Sequence, residues 1–599
     1  MKTLKISWII NPFMDFSFFL AAPLLILPAF HFLSGYLSMN LLKLGVLSVS
    51  ATGHHLPGFI RAYTDRKVFL NFKPRLILVP SLIILFAIAA AYFKLSLIFY
   101  VLVAWSAWHG SMQVFGFLRI YDAKAKFISA STARLDFWMC LTWFVQVILW
   151  SPAKLASVLS IFYLSGGPLI PVAWAQAFEK GWWVLTAAVT VAYGGQLAYN
   201  RFRRGYLNLP KLLCMASGIG FWAYCLIGVD QLILGLILWE VFHDLQYNVF
   251  VWNYNHSRVR RGLSESGIER FLFQADWKRL GLYALCIAAY GSVGLLTQDV
   301  LNTYENMETY RNLLYQAGNV FTASALIHFY LDGFIWKIRD GKVRADLGLQ
   351  PDAPTGLGPG LQAADSYGAR RDARHWVLVA FFSVAIGCLG ASEYFHWNGT
   401  REGSMSANLA DLVPASGYAN FMKASSLRSA GKADSAVIYY ERSIRNDTNY
   451  KFAHLLIARL KADSDDADGA ILHFEKAKAA LPGDETVRAD LAGLYLRTRQ
   501  YEKAEAEYRF LAAQAPDNPA YQYGLGWTFL QMKKGLQAKP FLERTLELDP
   551  DQPKAWNYLG MVEQANGNAD LARRYYLKSL ALDSAYGHPR ENLSALESP

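Results

Sequence analysis

Apolar runs of about twenty residues recur through the first two thirds of the chain and stop near residue 391, and no other feature restricts the fold as much. A helix needs about 20 mostly apolar residues to cross the hydrocarbon of a bilayer, where irregular backbone leaves its N–H and C=O groups unpaired. By that test the first part predicts an all-α, polytopic transmembrane helix bundle of about eleven spans. They fall near 13–36, 39–60, 75–93, 95–121, 136–156, 181–199, 211–228, 231–254, 280–297, 312–336 and 375–391. The stretch 157–176, with Gly166, Gly167, Pro168 and Pro171, is apolar but broken and reads as a re-entrant or surface segment. Lys2 and Lys5 precede an apolar run that is long and lacks a small-residue cleavage site, so it is expected to remain as the first span.

The chain carries 58 Lys and Arg against 47 Asp and Glu, a net charge of +11. Those cations sit mainly in short loops between apolar runs, which points to membrane topology and predicts no nucleic-acid partner. Arg61, Arg66, Lys67 and Lys73 follow the second run, and Arg119, Lys124, Lys126 and Arg134 the fourth. Arg201, Arg203, Arg204 and Lys211 follow the sixth, Arg258, Arg260, Arg261, Arg270, Lys278 and Arg279 the eighth, and Lys337 to Arg374 the tenth. Basic loops stay on the cytoplasmic side, so the N-terminus is expected there and the C-terminal part across the membrane. In a bacterium this means an inner-membrane protein with a periplasmic C-terminal domain. The Gly- and Pro-rich stretch 351–369 is expected as a flexible part of the last cytoplasmic loop. The five cysteines lie in apolar stretches without CxxC spacing, which excludes a disulfide framework and a zinc ribbon.

From Gly417 the sequence repeats at a period of 34. One position reads Ala436, Ala470, Ala504, Ala538 and Ala572; four residues later stand Tyr440, Phe474, Tyr508, Leu542 and Tyr576. Pro482, Pro516 and Pro550 close repeats, and Leu525 with Gly526 and Leu559 with Gly560 mark first halves. The alanine admits close approach of two helices, the large side chain fills the gap between repeats, and the proline stops the second helix. This pattern resembles the tetratricopeptide (TPR) family. The resemblance implies an α-solenoid whose concave groove docks a partner protein or peptide, with self-assembly as the plainer use. The first repeat departs from the pattern at Asn420, Lys423 and Thr448, as suits a cap. The expected organisation is a membrane domain at 1–391, a linker at 392–416, five TPR repeats at 417–585 and a terminal cap at 586–599.

Ionisable side chains within a bilayer are costly, and the first part holds several histidines inside its apolar runs. His54, His55, His109, His243 and His328 lie on even-numbered spans, at similar depth between the bilayer centre and the cytoplasmic face, and are the candidate metal ligands. His31 is expected near the outer surface and His256 at the interface. Gln113 follows His109 by four residues, Asp332 follows His328 by four, and Glu240 precedes His243 by three. Those spacings put each pair on one helix face, so Gln113, Glu240 and Asp332 are the candidate catalytic partners. Imidazole with carboxylate and no thiolate suits iron, or less specifically manganese, copper or zinc. Adjacent histidines on a regular helix point in different directions, so one of His54 and His55 is expected outside the ligand set. Arg61 with Asp65, Arg119 with Asp122, and Arg339 with Asp340 stand where spans meet the cytoplasmic edge, as interfacial pairs or as an anion clamp. The surrounding aromatics, Trp105, Trp108, Phe115, Trp239, Phe242 and Phe329 among them, face lipid or line a pocket.

Histidines spread over several spans, without the tight HxxxH and HxxHH boxes of membrane desaturases, resemble the membrane carotene-cleaving oxygenases of the Brp/Blh type. That resemblance implies an iron-dependent oxidoreductase acting on a hydrophobic, lipid-like or isoprenoid substrate, with His54, His109, His243 and His328 as ligands. The competing expectation is an envelope transporter or assembly scaffold whose histidines carry protons or join helices. A membrane glycosyltransferase ranks behind both, because the loop after the first span, at Leu37 and Ser38, is too short for an acidic catalytic loop. P-loop and GxSxG signatures are absent, and the GxGxxA match at Gly218, Gly220 and Ala223 lies inside an apolar run.

Overall fold

A computed structural model describes residues 6–38, 41–42, 45–46, 52–127, 129–229, 232–303, 308–335, 364–396 and 399–597. Every regular element among them is helical. The chain divides into two compact units, Met1–Val413 and Pro414–Pro599.

In the first unit, three helices are long and apolar enough to cross a membrane: Arg66–Tyr92, Leu209–Gly228 and Ala373–Phe395. Two bent pairs raise the number to five if each counts as one span. They are Pro12–Leu20 with Ala22–Ser34, bent by 58°, and Ala130–Leu149 with Pro152–Leu164, bent by 95°. The expectation of about eleven spans is therefore not met among the described residues. The reason is polar content. Leu97–Lys124, Leu232–Arg260 and Glu308–Ile335 have the length of a span, but His109, Arg119 and Asp122, then Glu240, His243 and Asp244, then His328 and Asp332, interrupt their apolar character.

Of the second expected span, 39–60, much lies outside the described residues; residues 41–42 and 45 are helical, and the helix His55–Thr64 follows a turn that ends at His54. One further expectation changes. The linker expected at 392–416 contains the helix Gly399–Leu412, which packs on Pro152–Leu164 and Val172–Arg203 within the first unit. The stretch 351–369 and the pair Arg339–Asp340 lie outside the described residues except for Ala364 onward, where the helix Ala364–His396 begins.

Several cations counted toward topology are not loop charges facing water. Lys211 Nζ lies 2.8 Å from both Asp122 and Asp136, and Arg119 pairs with the same two carboxylates, so one buried network ties three helices. Arg258 lies 2.7 Å from Asp65 and 2.9 Å from Glu269, all buried. Asp65 also accepts from Lys67 N and Val68 N, capping the helix Arg66–Tyr92. Two of the three expected edge pairs are thus parts of buried networks. A buried charge left without its partner is costly, which explains why these groups come in matched sets.

The second unit is built of helix pairs: Gly417–Ser429 with Ala433–Asn446, Ala453–Asp463 with Ala467–Ala480, Glu485–Arg497 with Tyr501–Gln514, Pro519–Gln531 with Gly535–Leu548, and Pro553–Ala565 with Ala569–Leu582. Ala436, Ala470, Ala504, Ala538 and Ala572 are all fully buried. At Gly560 a Cβ would stand 2.5 Å from the Tyr576 ring, so the glycine lets that ring close the gap between the two helices of the last repeat. Asn420, out of pattern in the first repeat, is buried and donates to Pro414 O at 2.8 Å and Ser416 O at 2.7 Å, tying down the start of the solenoid. The final helix His588–Glu597 packs on the last pair, with Asn592 donating to Asn557 at 3.0 Å. In the second repeat, His454 Nδ1 and His473 Nδ1 stand 3.1 Å apart. Burial, then the neighbouring His473, holds the His454 imidazole down to about 4; burial, then Lys476, does the same to His473, also to about 4.

Candidate metal centre

Four segments of the first unit bring imidazoles together. His54 and His55 stand at the start of the helix His55–Thr64, His109 lies in Leu97–Lys124, His243 in Leu232–Arg260, and His328 in Glu308–Ile335. All five are buried. The helix Glu308–Ile335 packs against His55–Thr64, Arg66–Tyr92 and Leu97–Lys124, which brings His328 between the others. At Gly58, one turn past His54, a Cβ would lie 3.0 Å from Tyr247 Oη and 3.6 Å from His328 Nδ1, so the missing side chain lets this helix press against the cluster.

The donor atoms fall into three overlapping triads, His54–His55–His328, His109–His243–His328 and His54–His243–Asp244, each with all atoms within 4.8 Å of one another. His54 Nε2 lies 3.0 Å from His328 Nε2, and His54 Nδ1 lies 2.7 Å from Asp244 Oδ1. Asp332 Oδ2 is 3.6 Å from His328 Nε2 and 3.8 Å from His109 Nε2, while its other oxygen accepts from Tyr247 Oη at 3.2 Å. Neither ring nitrogen of His243 has a hydrogen-bond partner, nor do His109 Nε2 and His328 Nδ1. Buried polar atoms are ordinarily paired, so four such imidazole nitrogens in one cluster mark it as a candidate donor set.

The five rings differ in their contacts. An imidazole lone pair lies in the ring plane, and most of these rings cross steeply: His54 crosses His328 at 90°, His243 at 82° and His55 at 66°, and His109 crosses His243 at 72° and His328 at 69°. His55 instead stacks on His328 at 26° and bonds through Nδ1 to Ser324 Oγ at 3.0 Å, which in turn meets Tyr290 Oη at 2.8 Å. Both members of the adjacent pair nevertheless reach the cluster. His54 precedes the first full helical residue, so the regular helical rotation between neighbours does not separate them.

Of the three candidate catalytic partners, Asp332 stands within the cluster. Gln113 donates to the backbone carbonyl of His243 at 3.0 Å and touches no imidazole nitrogen through that bond; it holds the turn that carries the histidine. Glu240 is in none of the triads and bonds Ser106. The carboxylate that reaches His54 is Asp244, one turn further along the same helix. Asp244, Tyr247 and Ser324 were missed because each partners a residue on another helix, and spacing within one helix is blind to that. The signal available was only that Asp244 directly follows His243. His256 bonds the Phe273 carbonyl at 3.0 Å and joins none of the triads.

The molecule is thus an all-helical protein that joins a histidine-clustered helical unit to a helix-pair solenoid. Models of the tetratricopeptide repeat match residues 461–527 and 534–586. The TPR repeat-containing protein PA0015 of Pseudomonas aeruginosa is 31% identical over 77 residues, 13% of this chain and 73% of that protein. The chain belongs to the tetratricopeptide-repeat family. Among solved structures it is similar to YrrB, described as a TPR protein with an unusual peptide-binding site, at 14% identity and a TM-score of 0.29, over 31% of this chain and 96% of that one. It is also similar to MamA from Desulfovibrio magneticus RS-1, at 18% identity and a TM-score of 0.27, over 28% of this chain and 96% of that one.

Proposed function

We propose that the first unit is a membrane-embedded metalloprotein, an iron-dependent oxidoreductase acting on a hydrophobic, lipid-like substrate, and that the repeats dock a partner protein or peptide. The observation that carries this reading is the buried cluster of five histidines with orphaned ring nitrogens. Two nitrogens bound to one ion at about 2.1 Å and at right angles stand about 3.0 Å apart. His54 Nε2 and His328 Nε2 are 3.0 Å apart, a separation that suits two donors on one cation as well as a hydrogen bond between the rings, and the three triads add further donors within 4.8 Å of one another. His54, His109, His243 and His328 would hold it, with Asp332 beside them. A bound iron would supply one-electron and dioxygen chemistry that no side chain here offers. The chain's own part is to orient those rings, to exclude water with Phe242, Trp239 and Phe329, and to hold the Asp332 carboxylate through Tyr247.

Membrane insertion is supported by the apolar helices and by Val377, Phe381 and Val384, which are exposed on Ala373–Phe395. Solvent contact for such a surface is unfavourable and lipid contact is not. The exposed cations Arg66, Lys67, Arg203, Arg204, Arg260 and Arg261 favour a cytoplasmic N-terminus in a bacterial inner membrane with the repeats in the periplasm. Docking follows from TPR architecture, and the half-buried aromatic series Tyr523, Trp527 and Tyr558, with Trp527 stacked on Tyr558 at 4.4 Å, is the part we assign to the partner. Metal analysis of the purified full-length protein beside His109→Ala and His328→Ala tests the centre. The reading requires iron in the wild type and its loss in both variants; metal retained in both removes these ligands. A proton-handling role is the second reading, favoured by the direct contact between His54 and His328, and it requires wild-type protein free of stoichiometric metal.

A further inference from the structure

The segment between Leu232–Arg260 and Trp277–Thr303 is pinned on one side and bare on the other. It holds the short helix Gly267–Leu272, in which Glu269 N donates to Ser266 Oγ at 3.3 Å. The Glu269 carboxylate turns inward, where it pairs with Arg258 at 2.9 Å and accepts from Ser264 Oγ at 2.6 Å. Leu272 and Phe273 are buried, with the Phe273 ring 5.5 Å from Trp252 and 5.4 Å from Tyr283. A helix turns by about 100° per residue, so burying Glu269 and Leu272 leaves Ile268 and Phe271 on the outer face. They are 53% and 54% exposed, and Leu263 before them and Trp277 after them are 44% and 79% exposed.

Cations lie against this apolar face. The Arg279 guanidinium stands 3.9 Å from the centroid of the Phe271 ring, and Lys278 Nζ stands 6.0 Å from that of Trp277. The acids of the segment are engaged elsewhere: Glu269 is buried, Glu265 pairs with Lys67, and Asp276 accepts from the Arg279 backbone N–H at 2.8 Å. Arg260, Arg270 and Lys278 are exposed and enter no ion pair among the described residues. Apolar side chains interleaved with cations suit a layer that is oily on one side and negatively charged on the other, as an anionic lipid surface is. We propose that residues 260–280 form an interfacial patch that inserts Ile268, Phe271 and Trp277 among acyl chains and holds the phosphates of anionic phospholipids through Arg260, Arg270 and Lys278. This rests on the membrane reading of the first unit and names the lipid class that it selects. The patch begins where Leu232–Arg260 ends, so it fixes the helix that carries His243 relative to the bilayer.

The test places the photo-crosslinking residue p-benzoylphenylalanine at Ile268 of the full-length protein in vesicles of phosphatidylcholine, with or without phosphatidylglycerol, and reads lipid adducts by mass spectrometry. Val384, 67% exposed on Ala373–Phe395, reports membrane insertion in the same way, and Leu536, 70% exposed in the repeat unit, reports background. Adducts are expected at Ile268 and Val384, with phosphatidylglycerol enriched at Ile268. Arg260→Gln/Arg270→Gln/Lys278→Gln is expected to lower that enrichment about fivefold or more and to leave the Val384 adducts unchanged. Adducts at Val384 with none at Ile268 overturn the patch and leave the membrane reading standing, whereas adducts at neither overturn both. Equal capture of the two lipids at Ile268, or an unchanged enrichment in the triple variant, overturns the selection of anionic headgroups. A cross-link from Ile268 to a second copy of the chain, or to another protein in native membranes, overturns lipid as the occupant. If the triple variant does not fold, the comparison of the two lipids on the otherwise unaltered chain still decides.

Discussion

In the repeat unit the same physical problem is solved five times at a spacing of 34 residues, and each solution is local: a buried alanine meets the neighbouring helix of its own pair. In the first unit each problem is solved once, by residues far apart in the chain, as when His54 meets His328 and Asp65 meets Arg258. The contrast teaches where polar groups sit. The solenoid keeps most of its ion pairs at its surface, where each is worth little, while the first unit buries matched sets of charges and a cluster of imidazoles that have meaning only together.

The sharpest way to break that contrast is to remove one imidazole. His328→Ala, which takes a member from two of the three triads, is expected to abolish stoichiometric metal in the full-length protein while the repeat unit keeps its helical circular dichroism. His55→Gln is expected to retain the metal, because His55 is stacked and bonded toward Ser324; equal loss in both variants would place His55 among the ligands.

Within the solenoid, effects are expected to be graded and independent of metal. Tyr576→Ala removes a fully buried ring and is expected to cost about 3–5 kcal/mol in urea unfolding of residues 414–599. The His454–His473 pair sets a pH dependence. Both imidazoles are held at about 4 in the folded unit, below an ordinary histidine, so between about pH 6.5 and about pH 4 the unfolded chain binds more protons. Stability therefore falls as pH drops through that window, and the Tm of this unit is expected to fall by several degrees more than that of His454→Gln/His473→Gln; identical pH profiles would remove the pair from the explanation. The smallest effect is expected at Asn420→Ala, about 1 kcal/mol for the two bonds at the start of the first repeat.

How much of this was legible in the sequence differs between the two units for the same reason. Ala436 to Ala572 could be aligned by counting, since a solenoid contacts only its neighbours and its periodicity is its tertiary structure. The histidines could be noticed as costly residues in apolar runs, yet spacing paired Glu240 with His243 and gave His54 no carboxylate, whereas Asp244 lies 2.7 Å from His54 across helices. The span count failed on the helices that carry the cluster, because a bundle that pairs its polar groups internally no longer needs uniformly apolar helices.

The sequence by itself determined the helix-pair repeat, the helical character of the remainder, and the set of imidazoles and carboxylates available for a site. Only the tertiary structure decided which of them meet: that His54 and His55 both reach the cluster from the start of a helix, that Asp244 and Asp332 face imidazoles from other segments, and that Lys211 and Arg258 are buried partners of aspartates. Periodicity records which residues share a face of one helix, whereas a site made by several helices depends on their packing, and packing is a property of pairs that no single stretch of sequence contains.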